Sequence, residues 1–162
     1  MVTQLAASKN FCAIPVVKSP KDYQAFRINP PPSNRIAIVF DSAIAGNSLT
    51  ICIEIFDPGG KTPLHRHSMA IEMFYILKGQ AVAVCDGKEV QLQAGDSIFV
   101  PQTGIHELGN AGAERLYVLC FMIPNENFAE MIRSGLPAEL DEEDWQVLGR
   151  LETEKPQKAG RY

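Results

Sequence analysis

The chain has three histidines, His65, His67 and His106, and all of them lie in one stretch from Gly59 to Asn110. His65 and His67 are two apart, so in an extended segment both imidazoles leave on one face, about 6.7 Å apart along the backbone. Arg66 then points the other way. Glu72 follows after a four-residue connection, and His106 comes 34 residues later. Three imidazole nitrogens and one carboxylate oxygen can converge on one ion at about 2.1 Å. Such a donor set suits Fe(II), Mn(II), Ni(II), Cu(II) or Zn(II) and leaves one or two positions for water, O₂ or a chelating substrate. Ordinary surface or core histidines are the plainer alternative. The gathering of every histidine into two blocks flanked by glycine and proline argues against it. No serine or cysteine keeps a histidine free to serve as its base, which disfavours nucleophilic triad chemistry.

The elements that must position these residues read as β-structure. From Arg35 to Ile123, apolar runs of five to nine residues alternate with turn signals, the pattern of an all-β sandwich or barrel. Asp57-Pro58-Gly59-Gly60 and Ala94-Gly95-Asp96 mark turns, and Asp86-Gly87 is a two-residue hairpin signal between Ala81–Cys85 and Lys88–Leu92. The spacing predicts strands over Leu64–His67, Glu72–Leu77 and Gly104–Leu108, which would carry the four candidate ligands. Phe74 and Ile76 share parity with Glu72 and are expected to line a pocket below the metal, although core filling is the plainer account of these two; Ile98 is a further candidate for the same space. Glu54 is the one acid embedded in a core strand. It is a conceivable general base, although a solvent-facing edge position is the simpler expectation.

Two predicted strands, Ile71–Leu77 and Leu116–Ile123, are apolar on both faces, whereas a half-exposed antiparallel strand should alternate. Residues 1–34, the C-terminal helices or a second subunit must cover the outer face, and a homodimer is favoured. Residues 1–34 form an extension or arm that ends in the connector Pro30-Pro31-Pro32, 35–123 the β-domain, 124–150 two short helices, and 151–162 a polar tail expected to be disordered. The acidic start of the second helix, Asp141 to Asp144, complements the helix dipole.

The motif spacing resembles that of the cupin superfamily. The first block reads Gly59, five residues, His65, one, His67, four, Glu72, six, Gly79; the second reads Gly95, five residues, Pro101, four, His106, three, Asn110. One departure is Thr103, which stands where the family usually has glycine. The resemblance implies a single-domain jelly-roll β-barrel, often dimeric, with metal held by His65, His67, Glu72 and His106 at the barrel mouth. The chain is then a monocupin, and the absence of a helix-turn-helix segment ahead of the motifs argues against a regulator.

The functional expectation is a metal-dependent oxidoreductase of the dioxygenase kind acting on a small organic substrate, with Fe(II) or Mn(II) favoured. A metal-assisted isomerase or lyase on a sugar or carboxylate, and a non-catalytic small-molecule-binding protein, are the alternatives. The isomerase reading needs a second polar residue in the pocket, for which Glu54 is the candidate. A net charge of −4 gives no reason to expect nucleic acid or an anionic membrane as partner. The four cysteines, Cys12, Cys52, Cys85 and Cys120, are scattered singly, so reduced thiols and a cytoplasmic location are expected.

Overall fold

The computed structural model describes residues 15–28 and 34–149. The Pro30–Pro32 connector, Cys12 and the 151–162 tail lie outside the described residues. Within them the chain is all-β with short helices α1 (Ser42–Ala45), α2 (Phe128–Arg133) and α3 (Glu142–Leu148). A seven-stranded antiparallel sheet has the order β10-β1-β2-β3-β9-β4-β7, formed by β1 (Gln24–Arg27), β2 (Arg35–Phe40), β3 (Thr50–Phe56), β4 (Ile71–Lys78), β7 (Ser97–Val100), β9 (Leu116–Ile123) and β10 (Leu136–Ala138). A three-stranded sheet, β6-β5-β8, is formed by β5 (Gln80–Cys85), β6 (Lys88–Gln93) and β8 (His106–Asn110). This is the jelly-roll arrangement of two sheets closed over one core.

Strand parity decides which residues fill that core. On β4 the even positions Glu72, Phe74 and Ile76 turn inward and are buried, while Met73 and Tyr75 are exposed. On β3 and β9 the inward set is Cys52, Glu54, Phe56 and Leu116, Val118, Cys120, Met122, with Cys52 directly opposite Cys120. Ala81, Ala83 and Leu108 face them from the smaller sheet. A second, smaller cluster lies on the outer face, where Ile53, Ile55 and Tyr117 pack against Leu140, Val147 and Leu148. The C-terminal helix α3 (Glu142–Leu148) therefore covers the outer face of β3 and β9. Asp144 in its first turn is fully buried and receives Arg35 and the Tyr117 hydroxyl, a role beyond dipole complementation.

The structure corrects three expected elements. Leu64–His67 is not a strand: Lys61 and His65 make single bridges to Gly109 and His106, and the rest is irregular. β8 begins at His106, two residues later than expected. Leu136–Ala138, containing Pro137, forms an edge strand on β1. A proline is tolerated there because an edge position leaves one side of the strand unpaired.

Candidate metal centre

His65, His67, Glu72 and His106 come together, with one donor atom from each lying within 4.8 Å of the others. Glu72 rises from the start of β4 and His106 from the start of β8, while the two remaining histidines sit in the irregular segment before β4. The backbones of His65 and His106 bond to each other, and the Thr103 N–H donates to the His67 carbonyl at 2.9 Å. The ligand-bearing loop is thus held in place without a regular strand.

The donor chemistry can be tested against a divalent ion. His65 Nδ1 lies 2.8 Å from the Pro63 carbonyl oxygen and His106 Nδ1 lies 2.9 Å from that of Gly104. A carbonyl only accepts, so Nδ1 carries the proton and Nε2 presents its lone pair to the cluster. His106 Nε2 and His67 Nε2 stand 2.7 and 3.2 Å from the same Glu72 oxygen, Oε2. Adjacent ligands at about 2.1 Å from one ion are separated by about 3 Å. The set therefore fits a divalent cation, with neutral imidazoles and one carboxylate.

Where no ion takes up their lone pairs, the same ring nitrogens donate to Glu72 instead: burial by itself would push the Glu72 carboxyl up, and the hydrogen bonds from His106 and His67 outweigh it and hold the group at about 2. The same contact raises His106 against the effect of its burial. His65 is shifted down, chiefly by desolvation. Glu72 Oε1, turned away from the histidines, accepts from Cys120 Sγ at 3.2 Å.

A cavity of about 180 Å³ opens directly on His65 and Glu72. Ile28, Ile36, Phe74, Phe128 and Met131 form its apolar walls, and Thr62, Pro63 and Glu54 complete it. Phe74 is one of its lining residues. Ile76 and Ile98 are not: Ile76, two residues further along β4, is fully buried in the core, and Ile98 packs against that core from the edge strand β7. Glu54 is also not where expected. It is 3% exposed and faces the cavity, because β3 is an interior strand with no solvent edge. Burial first and the Glu72 charge second push its carboxyl up to about 8. Phe128 and Met131, from the short helix α2 (Phe128–Arg133), were missed as pocket residues, since nothing in the sequence brings a helix after β9 back over the site.

The motif positions outside the cluster serve the turns. Gly59, Gly79 and Gly95 all have positive φ. Asn110 acts through its side chain, donating to the carbonyls of Phe56 and Glu114 at 3.1 and 2.7 Å.

Comparison with known proteins agrees with this architecture. The family model described as the cupin domain matches residues 52–122. An oxalate-binding protein of Thermotoga maritima is 36% identical over 66 residues, which span 41% of this chain and 54% of that protein. Auxin-binding protein 1 of Arabidopsis thaliana is 27% identical over 126 residues, 72% of this chain and 63% of that one. The crystal structure of a predicted oxalate decarboxylase from Thermotoga maritima aligns with a TM-score of 0.63 at 25% identity, covering 67% of this chain and 99% of that one. Residues 52–122 of the chain form a cupin domain. It spans less than two thirds of the length of either curated relative.

Proposed function

We propose that the chain is a metal-dependent oxidoreductase of the dioxygenase kind that takes a small, largely apolar organic substrate. The observation that carries this reading is the tight apolar cavity opening onto the three-histidine, one-glutamate cluster. A bound divalent ion, Fe(II) or Mn(II) ahead of Ni(II), Cu(II) or Zn(II), would supply redox chemistry with O₂ and a charge for a chelating group. The chain's own part is to hold that ion through His65, His67, Glu72 and His106. Phe74, Phe128 and Met131 would orient the substrate and limit access of bulk water. Oxalate, which one relative is named for binding, fits less well. None of the described lining residues is a lysine or arginine, and both Glu54 and Glu72 face the space. A dianion would meet two carboxyls with no cationic side chain beside it.

A second reading, a metal-assisted isomerase or lyase, is favoured by one observation. Glu54 lines the cavity with its carboxyl pushed up to about 8, where a group can take and return a proton near neutral pH. The test is oxygen uptake by Fe(II)- or Mn(II)-loaded protein over a panel of small hydroxy and oxo compounds, run beside solvent deuterium exchange into the same compounds. Oxygen uptake supports the oxidoreductase. Exchange without uptake supports the isomerase or lyase. Binding with neither leaves a non-catalytic small-molecule binder.

We also infer a homodimer, built on the outer face of β4 and β7. Met73, opposite Phe99 across the two strands, is exposed there along with Phe99, Tyr75 and Ile123, beyond the reach of α3. This patch carries no charge of its own and repeats as an identical surface on a second copy. Light scattering is expected to give twice the mass of one chain, and a monomer would overturn it. The free thiols of Cys52, Cys85 and Cys120 fit a reducing cytoplasm, and no described helix is long and apolar enough to cross a membrane.

A further inference from the structure

From Ser68 to Ala70, between the candidate ligands His67 and Glu72, the chain lies outside the strands, yet this short loop sets the separation of the two. Its backbone donors are met by one side chain. Glu126 Oε1 accepts from the Ser68 N–H at 2.8 Å, and Oε2 accepts from those of Met69 and Ala70 at 3.0 and 2.7 Å. Three consecutive amides converging on a carboxylate form an anion-holding concavity, here filled from within the chain. The opposite side of the loop is held by Thr103 N–H on the His67 carbonyl and by Gln102 Nε2 on the Met69 carbonyl.

Glu126 is itself well anchored. It has φ +47, in the left-handed region that non-glycine residues seldom occupy, so the surrounding structure must hold it there. The adjacent Asn125 is 1% exposed and supplies that hold: its Oδ1 accepts from Thr50 Oγ1 and the Ala129 N–H, and its Nδ2 donates to Asn47 Oδ1 at 3.1 Å and to Glu130 at 2.7 Å. The same turn leads into α2, whose Phe128 and Met131 line the cavity.

We propose that Glu126 is a positioning residue for the metal centre: its carboxylate fixes the Ser68–Ala70 loop against the turn before α2 and so sets His67 and Glu72 at ligand distance. The proposal rests on the reading of the four-residue cluster as a metal site. Groups that orient ligands from outside the coordination sphere typically contribute about 10–100-fold to metal affinity. Glu126→Gln keeps the side-chain shape but turns one acceptor oxygen into a donor that faces backbone N–H groups.

The test titrates Co(II) into metal-free wild type, Glu126→Gln and the exposed control Glu89→Gln, followed by the visible absorption of the bound ion well below the melting temperature of each protein. The expected result is a roughly 10–100-fold weaker Kd for Glu126→Gln alone, with faster hydrogen exchange at the Ser68, Met69 and Ala70 amides of the metal-free variant. A purely structural role would lower the melting temperature and leave the Kd of the folded protein unchanged, and that outcome overturns the proposal. If Glu126→Gln does not fold, Glu126→Asp, which keeps the charge but shortens its reach, is read in the same way. Failure of wild type to bind Co(II) removes the metal-site reading and the proposal with it. Tight binding by both proteins removes the proposal alone.

Discussion

The backbones of His65 and His106 exchange two hydrogen bonds, His65 N–H to His106 O at 3.0 Å and His106 N–H to His65 O at 2.8 Å. This bridge lies outside the regular strand pairing and joins the two motif blocks at the cluster itself. The two halves of the site are therefore registered by main chain, and metal should add to a centre that the fold has already assembled.

Metal binding is expected to stabilise the protein without rebuilding it. At a free ion concentration of 100 Kd the gain is about 2.7 kcal/mol, a rise of about 5–10 °C in melting temperature for a chain of this size. A chelator should reverse it while the far-ultraviolet circular dichroism stays unchanged. His106→Gln should weaken binding by more than about 100-fold, since it removes a donor rather than a supporting contact. Melting curves with and without metal check both. A chelator that unfolds the chain would show that the bridge does not assemble the site.

Thr103 gives a prediction about stability. It has φ +66, a conformation that costs a β-branched residue about 1–2 kcal/mol. The extra backbone entropy of glycine costs about 0.5–1 kcal/mol. Relief of the strain outweighs that entropy, so Thr103→Gly should raise stability by about 0.5–1 kcal/mol, and urea midpoints measure it. The strain is held in place by the Thr103 N–H bond to the His67 carbonyl and the Gly104 N–H bond to the Pro101 carbonyl, both backbone contacts that glycine keeps. A lower midpoint for the variant would mean that the threonine side chain contributes more than its conformation costs.

What the sequence made legible, and what it hid, divides along physical lines. The His65–His67 spacing, Glu72 and His106 were legible because local spacing and turn residues carry the information. Strand parity also put Phe74 on the inward face with Glu72. Parity does not say how far along a strand a cavity extends, so Ile76, buried two residues further on, was indistinguishable from Phe74. The burial of Glu54 depends on β3 lying between β2 and β9, a pairing that no local pattern encodes. Asp144 fits dipole complementation as a sequence feature, and its pairing with Arg35 spans 109 positions. Phe128 and Met131 reach the site only because α2 folds back over it.

The Arg35–Asp144 pair should behave as a buried charge pair does. Arg35 is 3% exposed and Asp144 is fully buried, joined by two hydrogen bonds, one of them Nη2 to Oδ1 at 2.9 Å. Arg35→Met leaves the Asp144 charge with Arg115, the Tyr117 hydroxyl and the Asp141 N–H as its partners, and should cost about 3–5 kcal/mol. Replacing both, as Arg35→Met with Asp144→Leu, should recover much of that loss, because no uncompensated buried charge remains. Urea unfolding of the two single variants and the double variant forms the cycle. Additive losses would show that the two groups act independently.

Glu54 ties the cavity to pH. Its ordinary carboxyl value is 4.5 and the folded value is about 8. Between these the unfolded chain has released a proton that the folded chain still holds, so raising the pH favours unfolding, with a slope on the order of 1 kcal/mol per pH unit. His106, raised by Glu72, acts in the same direction above the ordinary histidine range; His65, lowered by desolvation, acts in the opposite direction just below that range, and Glu72, held at about 2, does so only below about 4.5. Metal-free protein should therefore lose stability from pH 5 to 8, most steeply above the ordinary histidine range, where His65 no longer opposes Glu54. Glu54→Gln, which has no proton to release, should show a much shallower decline that leaves chiefly the histidine share. Urea midpoints at four pH values across that range separate the two proteins. Parallel slopes would mean that Glu54 is already ionised in the folded chain, and the isomerase or lyase reading would then lose the neutral carboxyl it needs.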